Sequence, residues 1–292
     1  MNAEQRLLSS IHASFTLDQL QIGNYLINYV AGGSGDPLIL LHGANIGWGQ
    51  WYPNIAQFSQ HFRVYALDLP GAGHSSKINF RTLNLEHDFV DTVEHFIRIK
   101  NLQNVSLVGH SLGGWIAMKL ALRDISSLNK IVLVSPIGFS GFVPFKHRLL
   151  AFYPIAKLLS VTAMKPTEKN MKQFSLDVMY DKSKEPSPEF IKYLCEAITK
   201  KPNDHPLILI HRLTGLHQMK KELILTDVLS QIHNQTLVIM GAEDPQIPID
   251  QVRSGVSRLP NARLKVLAKI GHLPPLEATE QFNKIVLAFL NK

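Results

Sequence analysis

Short apolar runs recur along the chain, and segments with the periodicity of an amphipathic helix separate them. Several runs are apolar without interruption, which is typical of strands in a parallel sheet that is covered on both faces. Two alternating runs, Leu20–Ile22 and Tyr25–Tyr29, flank Gly23 and Asn24, and this spacing predicts a β-hairpin. The other predicted strands are Leu38–Leu41, Arg63–Leu67, Val105–Gly109, Lys130–Val134, Thr236–Met240 and Arg263–Leu267.

Residues 84–101 show the helical pattern most clearly. Acidic residues lie near the start of this segment and basic residues near its end, as a helix dipole favours. Its apolar side chains fall on one helical face: Leu85, Phe89, Val93, Phe96 and Ile97. Strands that alternate with such helices predict an α/β fold, with a mostly parallel sheet and an antiparallel hairpin at one edge.

The alternation stops between about residues 138 and 232, where helical runs are broken by prolines and no convincing strand occurs. This length predicts a helical cap inserted between two strands, so that residues 1–137 and 233–292 form the core. The insertion holds 14 Lys and Arg against 9 Asp and Glu, and therefore carries five of the chain's net charge of +7.

Composition excludes several classes of protein. Charged residues make up 18% of the 292, and Cys195 is the single cysteine, so no intrachain disulfide can form. The N-terminus does not resemble a signal peptide, and no apolar run is as long as a membrane-spanning helix. We therefore expect a cytoplasmic protein. Zinc-ligand spacings, a Walker loop and RNA-binding signatures do not occur, so we expect no metal, no cofactor and no nucleic-acid partner.

Polar residues follow the predicted strands at the points where the strands end. Because the carboxyl ends of parallel strands meet at one edge of a sheet, these residues should lie close together. Gly109-His110-Ser111-Leu112-Gly113 matches the G-x-S-x-G elbow, in which small neighbours allow a strained serine to stand at the head of a helix. Ser111 is therefore the candidate nucleophile.

A serine needs a base to accept its proton, and the base needs an acid to orient it. His272 follows the last predicted strand and is the candidate base, because the side chain of His110 should point away from the Ser111 hydroxyl. Asp244 is the candidate acid, and the adjacent Glu243 is the alternative.

A tetrahedral intermediate needs two backbone donors for its negative oxygen. The amide of Leu112, at the head of a helix, should supply one, and the amide of Ala44 the other. Asp68, at another strand end, should anchor the glycine-rich loop that follows it.

Five motifs together resemble the α/β-hydrolase superfamily, in particular its capped serine esterases and lipases: LLHGANIGW, LDLPGAGHSS, LVGHSLGGW, MGAEDPQIP and IGHLPPLE. The resemblance implies an eight-stranded sheet, a Ser-His-Asp triad in the chain order Ser111, Asp244, His272, and chemistry through an acyl-enzyme. Serine at position 111 argues against the dehalogenases and epoxide hydrolases of this fold, which have an aspartate there.

The resulting hypothesis is a serine hydrolase that cleaves carboxylic esters of a hydrophobic or lipid-like acyl substrate. The alternatives are C–C bond cleavage, acyl transfer or perhydrolysis with the same triad, or a non-catalytic binding protein. Substrate contacts are expected from Asn45, Trp115, Phe142, Phe145 and Phe152.

The segment FKHRLLAFYPIAKLLSV, within the insertion, has basic residues at Lys146, Arg148 and Lys157 and is apolar on nearly all sides. The simpler interpretation is a lid that packs on the core. The alternative is an interfacial segment that makes weak peripheral contact with an anionic membrane.

Overall fold

A computed structural model, which describes residues 1–44, 46–162, 164–198 and 205–292, has eight strands that form one sheet. The strands are β1 (Phe15–Ile22), β2 (Tyr25–Gly32), β3 (Pro37–Leu41), β4 (Arg63–Leu67), β5 (Val105–His110), β6 (Leu128–Val134), β7 (Thr236–Gly241) and β8 (Ala262–Leu267). Their order in the sheet is β1-β2-β4-β3-β5-β6-β7-β8.

Strands β3 to β8 run parallel, whereas β1 pairs antiparallel with β2, and β2 antiparallel with β4. The hairpin closes at Ile22 and Tyr25, and Gly23 between them has a φ of +54°, which favours glycine. The predicted mostly parallel sheet of eight strands with an antiparallel edge hairpin is confirmed.

Helices cover both faces of this sheet. Helices outside the region between β6 and β7 are α1 (Ala3–Ser9), α2 (Ile55–Phe58), α3 (Thr92–Ile99), α4 (Leu112–Leu122), α10 (Ile249–Val256), α11 (Pro274–Glu277) and α12 (Thr279–Leu290). The helix predicted within residues 84–101 begins with a π-helical turn, Glu86–Asp91, and continues as α3. Its predicted apolar face is buried throughout.

Alternation along the strands divides the buried side chains between two cores. Ile39 and Leu41 of β3 point to the core that contains α3 and α4. Leu38 and Leu40 of the same strand point to the opposite core, which contains Trp51 and α12. Burial on both faces explains why the central strands are apolar without interruption.

Between β6 and β7 the chain leaves the sheet and forms α5 (Phe145–Leu150), α6 (Tyr153–Val161), α7 (Glu168–Val178), α8 (Pro188–Ile198) and α9 (Pro206–Leu213). Helices α5 and α6 pack on α9, and α8 packs on α1 and α7. The division at residues 138–232 into a cap and a core stays a prediction. Among the helices of the described chain, none is long and apolar enough to cross a membrane.

The aromatic cluster beneath α12 provides a test of the packing. Phe282 is fully buried, and its ring centroid lies 6.4 Å from those of both Trp51 and Phe58. Phe282→Ala should lower the free energy of unfolding by about 3–5 kcal/mol, because it removes a large buried ring and leaves a cavity. Phe145, which is 77% exposed, supplies the control. Phe145→Ala should change stability by less than about 0.5 kcal/mol. Urea unfolding measures both, and equal losses would contradict this packing.

Candidate active site

Ser111 is the single residue between β5, which ends at His110, and α4, which begins at Leu112. Its backbone has a φ of +51° and a ψ of −110°, a strained conformation for a residue with a side chain. Close approach explains the glycines on either side. A Cβ at Gly109 would lie 2.2 Å from the carbonyl oxygen of Gly113, and a Cβ at Gly113 would lie 2.3 Å from that of Leu41.

Hydrogen bonds fix the backbone of this turn. The Ser111 N–H donates to the carbonyl of Val134 in β6 at 2.9 Å, and the N–H of Trp115 donates to the Ser111 carbonyl at 3.2 Å. The side chain is 92% buried but borders a cavity at the carboxyl edge of the sheet.

His272 borders the same cavity, on the loop between β8 and α11. The buried carboxylate of Glu277 holds this loop, because it accepts hydrogen bonds from the N–H groups of Gly271 (2.9 Å) and Leu273 (3.1 Å). The His272 N–H donates to the carbonyl of Val178, at the end of α7, at 2.8 Å. This role of Glu277 was not predicted from the sequence, although Glu277 is the last residue of the IGHLPPLE motif.

Asp244 lies behind His272, and its Oδ2 accepts a hydrogen bond from Nδ1 of His272 at 2.8 Å. Its Oδ1 accepts from the N–H groups of Gln246 (2.8 Å) and Ile247 (3.1 Å). Burial alone would raise the pKa of this carboxyl, but His272 and these donors together hold the pKa below its usual range. Glu243 is exposed, and the partner of the His272 ring is Asp244.

His110 supports His272 from the other side. Its Nε2 lies 2.8 Å from the carbonyl oxygen of His272, so this nitrogen carries the hydrogen and donates it. The two rings meet edge to face, with centroids 4.8 Å apart. Burial, and next the neighbouring charge of His272, lower the pKa of His110 to about 3. His110 is therefore a neutral residue that holds the backbone of His272.

The loop after β3 passes close to Ser111, and Ala44 and Leu112 both border the cavity beside it. His42 stabilises this loop: its Nδ1 lies 2.5 Å from the carbonyl of Gly43, and its Nε2 accepts from the N–H of Leu69 at 3.0 Å. Asn45 lies outside the described residues.

The described cavity wall is mostly apolar and carries no Lys, Arg, Asp or Glu. His110, His147 and His272 are the titratable groups on this wall. Burial lowers the pKa of His147 to about 4, so it is neutral near pH 7. A polar strip occupies one side, where Gln251 contacts Ser140 and Gln246 lies nearby.

Of the residues predicted to contact substrate, Phe142 borders the cavity. Trp115, Phe145 and Phe152 do not line it in the described chain. Trp115 is buried because its position on α4 directs it into the core against Met118 and Gly138. Phe145 and Phe152 are 77% and 51% exposed on the outer side of α5 and the α5–α6 junction. We therefore correct that part of the prediction. His147, Gln246 and Gln251 were missed, because no motif marks them.

One cluster has side chains of the types that bind metal ions: ligand atoms of Glu4, Asp68 and His74 lie within 4.8 Å of one another. Both oxygens of Asp68 already accept hydrogen bonds, from the N–H groups of Trp48 (2.6 Å) and His74 (2.8 Å) among others. Burial, and next the charge of Glu4, raise the pKa of Asp68 to about 6. A cation would have to displace these donors. The cluster instead anchors the glycine-rich loop after β4, as predicted for Asp68.

Comparisons with known proteins agree with this fold. The sequence profile of the α/β-hydrolase fold matches residues 36–279. A 2-hydroxy-6-oxo-6-phenylhexa-2,4-dienoate hydrolase from Comamonas testosteroni is 26% identical over 94% of this chain and 95% of that protein. A 2-hydroxy-6-oxononadienedioate/2-hydroxy-6-oxononatrienedioate hydrolase from Burkholderia vietnamiensis is 30% identical over 91% of each chain. A carboxylesterase structure from Bacillus subtilis superposes with a TM-score of 0.78 over 99% of this chain and 95% of that one, at 21% identity.

The neutral state of His110 has a measurable consequence. An unfolded histidine takes up a proton below its ordinary pKa of about 6.5, whereas folded His110 stays neutral down to about pH 3. The contribution of His110 to the free energy of unfolding is therefore fully present above pH 6.5 and is lost as the pH falls towards 3. Between pH 7 and pH 5, the wild-type protein should lose about 2 kcal/mol more unfolding free energy than His110→Gln.

Urea unfolding of both proteins at the two pH values measures this difference. The comparison cancels contributions from other groups, such as Asp68, whose raised pKa acts in the opposite direction. Parallel pH profiles would show that His110 takes up a proton in the folded state.

Proposed function

Because the chain belongs to the α/β-hydrolase family, we propose that it is a serine hydrolase that cleaves carboxylic esters of a hydrophobic acyl substrate. Ser111 is the nucleophile, His272 the base and Asp244 the acid in this proposal. The observation that carries it is that Ser111 and His272 border one cavity whose described wall is mostly apolar and has no Lys, Arg, Asp or Glu. Such a wall favours a neutral acyl chain over a charged one.

In the proposed reaction, Oγ of Ser111 attacks the ester carbonyl while its proton passes to Nε2 of His272. The hydrogen bond between His272 and Asp244 places the proton of neutral His272 on Nδ1, which leaves Nε2 free to accept. Ionised Asp244 then stabilises the imidazolium. Its low pKa keeps it charged for this task.

The carbonyl oxygen becomes negative as the tetrahedral intermediate forms. The backbone N–H groups of Ala44 and Leu112 are the proposed donors to this oxygen, and Leu112 has the additional advantage of the first turn of α4. The intermediate collapses, and His272 returns the proton to the leaving alcohol. Water then hydrolyses the acyl-enzyme by the same steps, and Ser111 recovers its hydrogen.

The inserted segment forms the roof of the proposed acyl pocket. Phe142, Val143 and His147 border the cavity on one side, and Phe174 and Val178 of α7 on another. This arrangement supports the interpretation of residues 138–232 as a cap, since the segment closes the space above Ser111.

Hydrolysis of a carbon–carbon bond is the second candidate, and the dienoate hydrolases among the relatives favour it. By their names, the substrates of these relatives carry one or two carboxylates. A cation stabilises a buried carboxylate more strongly than neutral donors do, and the described cavity wall has no Lys or Arg, although neutral donors such as Gln246 and Gln251 lie on it. This difference is the reason to place ester hydrolysis first.

Matched substrates test the proposal. p-Nitrophenyl hexanoate should be hydrolysed, and mono-p-nitrophenyl adipate, which adds a terminal carboxylate, should have a kcat/KM about tenfold or more lower. Ser111→Ala should abolish turnover and fluorophosphonate labelling, and its free energy of unfolding should stay close to that of the wild-type protein. If 2-hydroxy-6-oxo-6-phenylhexa-2,4-dienoate is turned over and the hexanoate ester is not, the second candidate is correct. Labelling that persists in Ser111→Ala would refute the assigned nucleophile.

The adjacent acids allow a paired test of the proposed triad. Asp244→Asn should lower kcat by about 10³–10⁴-fold, because the amide cannot stabilise the imidazolium and favours the wrong tautomer of His272. KM for a short soluble ester should change little. Glu243→Gln is the matched control and should retain the wild-type rate, since Glu243 is exposed. A crippled Glu243→Gln beside an active Asp244→Asn would reverse the assignment.

A further inference from the structure

An apolar ridge runs along the outside of α5 and α6. Its members recur every three or four residues, so they lie on one side of each helix. The exposed fractions are 77% for Phe145, 52% for Leu149, 51% for Phe152, 38% for Ile155, 60% for Leu158 and 45% for Val161. We call these six residues the outer ridge.

Packing on the core does not explain the outer ridge. The inner side of the same helices is occupied by Leu150 and Ala156, which are buried, and this side faces α9. Scattered exposed leucines are ordinary, but a contiguous apolar patch on a soluble protein marks a site of contact.

The charged residues of α5 and α6 themselves all have the same sign. The chain contains no Asp or Glu between Asp124 and Glu168. Lys146, Arg148 and Lys157 lie within the two helices, and none of the three forms an ion pair with a carboxylate in the described chain. The apolar and basic residues of α5 and α6 are therefore complementary to a partner that has an apolar interior and anionic groups at its surface.

The outer ridge also lies beside the entrance to the proposed active site. Phe142, Val143, Pro144 and His147 border the cavity that contains Ser111, and the exposed Phe145 lies between them in the chain. A surface that covers Phe145 thus lies close to residues that border this cavity.

We propose that the outer ridge docks on an anionic phospholipid membrane and that the cavity draws its substrate from that membrane. Helices with aromatic and aliphatic residues on one side and basic residues at their flanks lie in the interface of such a membrane. Docking itself depends on the outer ridge and on the basic residues beside it, whereas substrate delivery rests on the proposed ester hydrolysis.

A second copy of the chain fits this surface poorly. In a two-fold dimer, the same patch of each subunit meets its counterpart. Lys146, Arg148 and Lys157 would then face the same cations of the partner, without an acid in the segment to pair with them. Anionic lipid headgroups supply the missing charge.

Sedimentation with vesicles tests docking without catalysis. Wild-type protein should pellet with vesicles of phosphatidylcholine and phosphatidylglycerol at low salt, and less so at moderate salt, because basic residues are screened over about 10 Å at 0.1 M salt. Phe145→Ser/Phe152→Ser and Lys146→Gln/Arg148→Gln/Lys157→Gln should each weaken binding by about tenfold or more. Two control sets, Leu26→Ser/Ile99→Ser and Lys192→Gln/Lys220→Gln/Lys284→Gln, remove similar groups elsewhere and should bind as wild type.

Hydrolysis separates docking from the proposed function. The variants Phe145→Ser/Phe152→Ser and Lys146→Gln/Arg148→Gln/Lys157→Gln should both cleave a short soluble ester at the wild-type rate. Both should cleave a vesicle-borne ester more slowly than the wild-type protein does. If wild-type protein stays in the supernatant at low salt, docking is refuted whatever the enzyme cleaves. If it pellets but cleaves neither ester, docking stands and ester hydrolysis fails. A wild-type dimer that Phe145→Ser/Phe152→Ser converts to a monomer, with no vesicle binding, would show that a second copy covers the ridge.

Discussion

The strained backbone at Ser111 is the constraint around which the rest of the site is arranged. A positive φ and a ψ near −110° cost about 1–3 kcal/mol for a residue with a side chain, so the surroundings must impose them. They do so from three sides: β6 binds the Ser111 N–H, α4 binds its carbonyl, and the backbone of β3 closes against Gly113. The turn is therefore held by strands at the centre of the sheet.

That arrangement also explains the character of α4. A helix that must begin at the central strand without a linker is buried on nearly all sides, and its residues from Leu112 to Met118 are all buried. The parallel strands on either side then deliver their own loops to the same edge. In this way His272 comes to border the same cavity as Ser111, with Asp244 bonded to it, although both are far from Ser111 in the chain.

Much of this could be predicted from the sequence, because it depends on local patterns. Short apolar runs located the strands, and the glycines around Ser111 located the elbow. The support of His272 by Glu277 was not predicted, since a carboxylate that accepts backbone N–H groups leaves no periodic signal. Trp115 was assigned to the pocket by its nearness to Ser111 in sequence, but one helical turn directs it into the core. His147 and Gln246 reach the cavity through tertiary packing of the insertion, which no short pattern encodes.

The His272 N–H donates a hydrogen bond to the carbonyl of Val178, and this bond distinguishes two sides of the cavity roof. The α7 side is bonded to the histidine loop and is called the fixed side, and the α5–α6 side is called the free side. On the fixed side, α7 ends in residues that are tied to the histidine loop, both through Val178 and through the Tyr180 N–H, which donates to Glu277 at 2.8 Å. Because of these two bonds, a movement of α7 would also move the loop that carries His272. On the free side, α5 and α6 have no such tether to the histidine loop among the described hydrogen bonds. A widening of the cavity that leaves the His272 loop in place would therefore move α5 and α6 rather than α7.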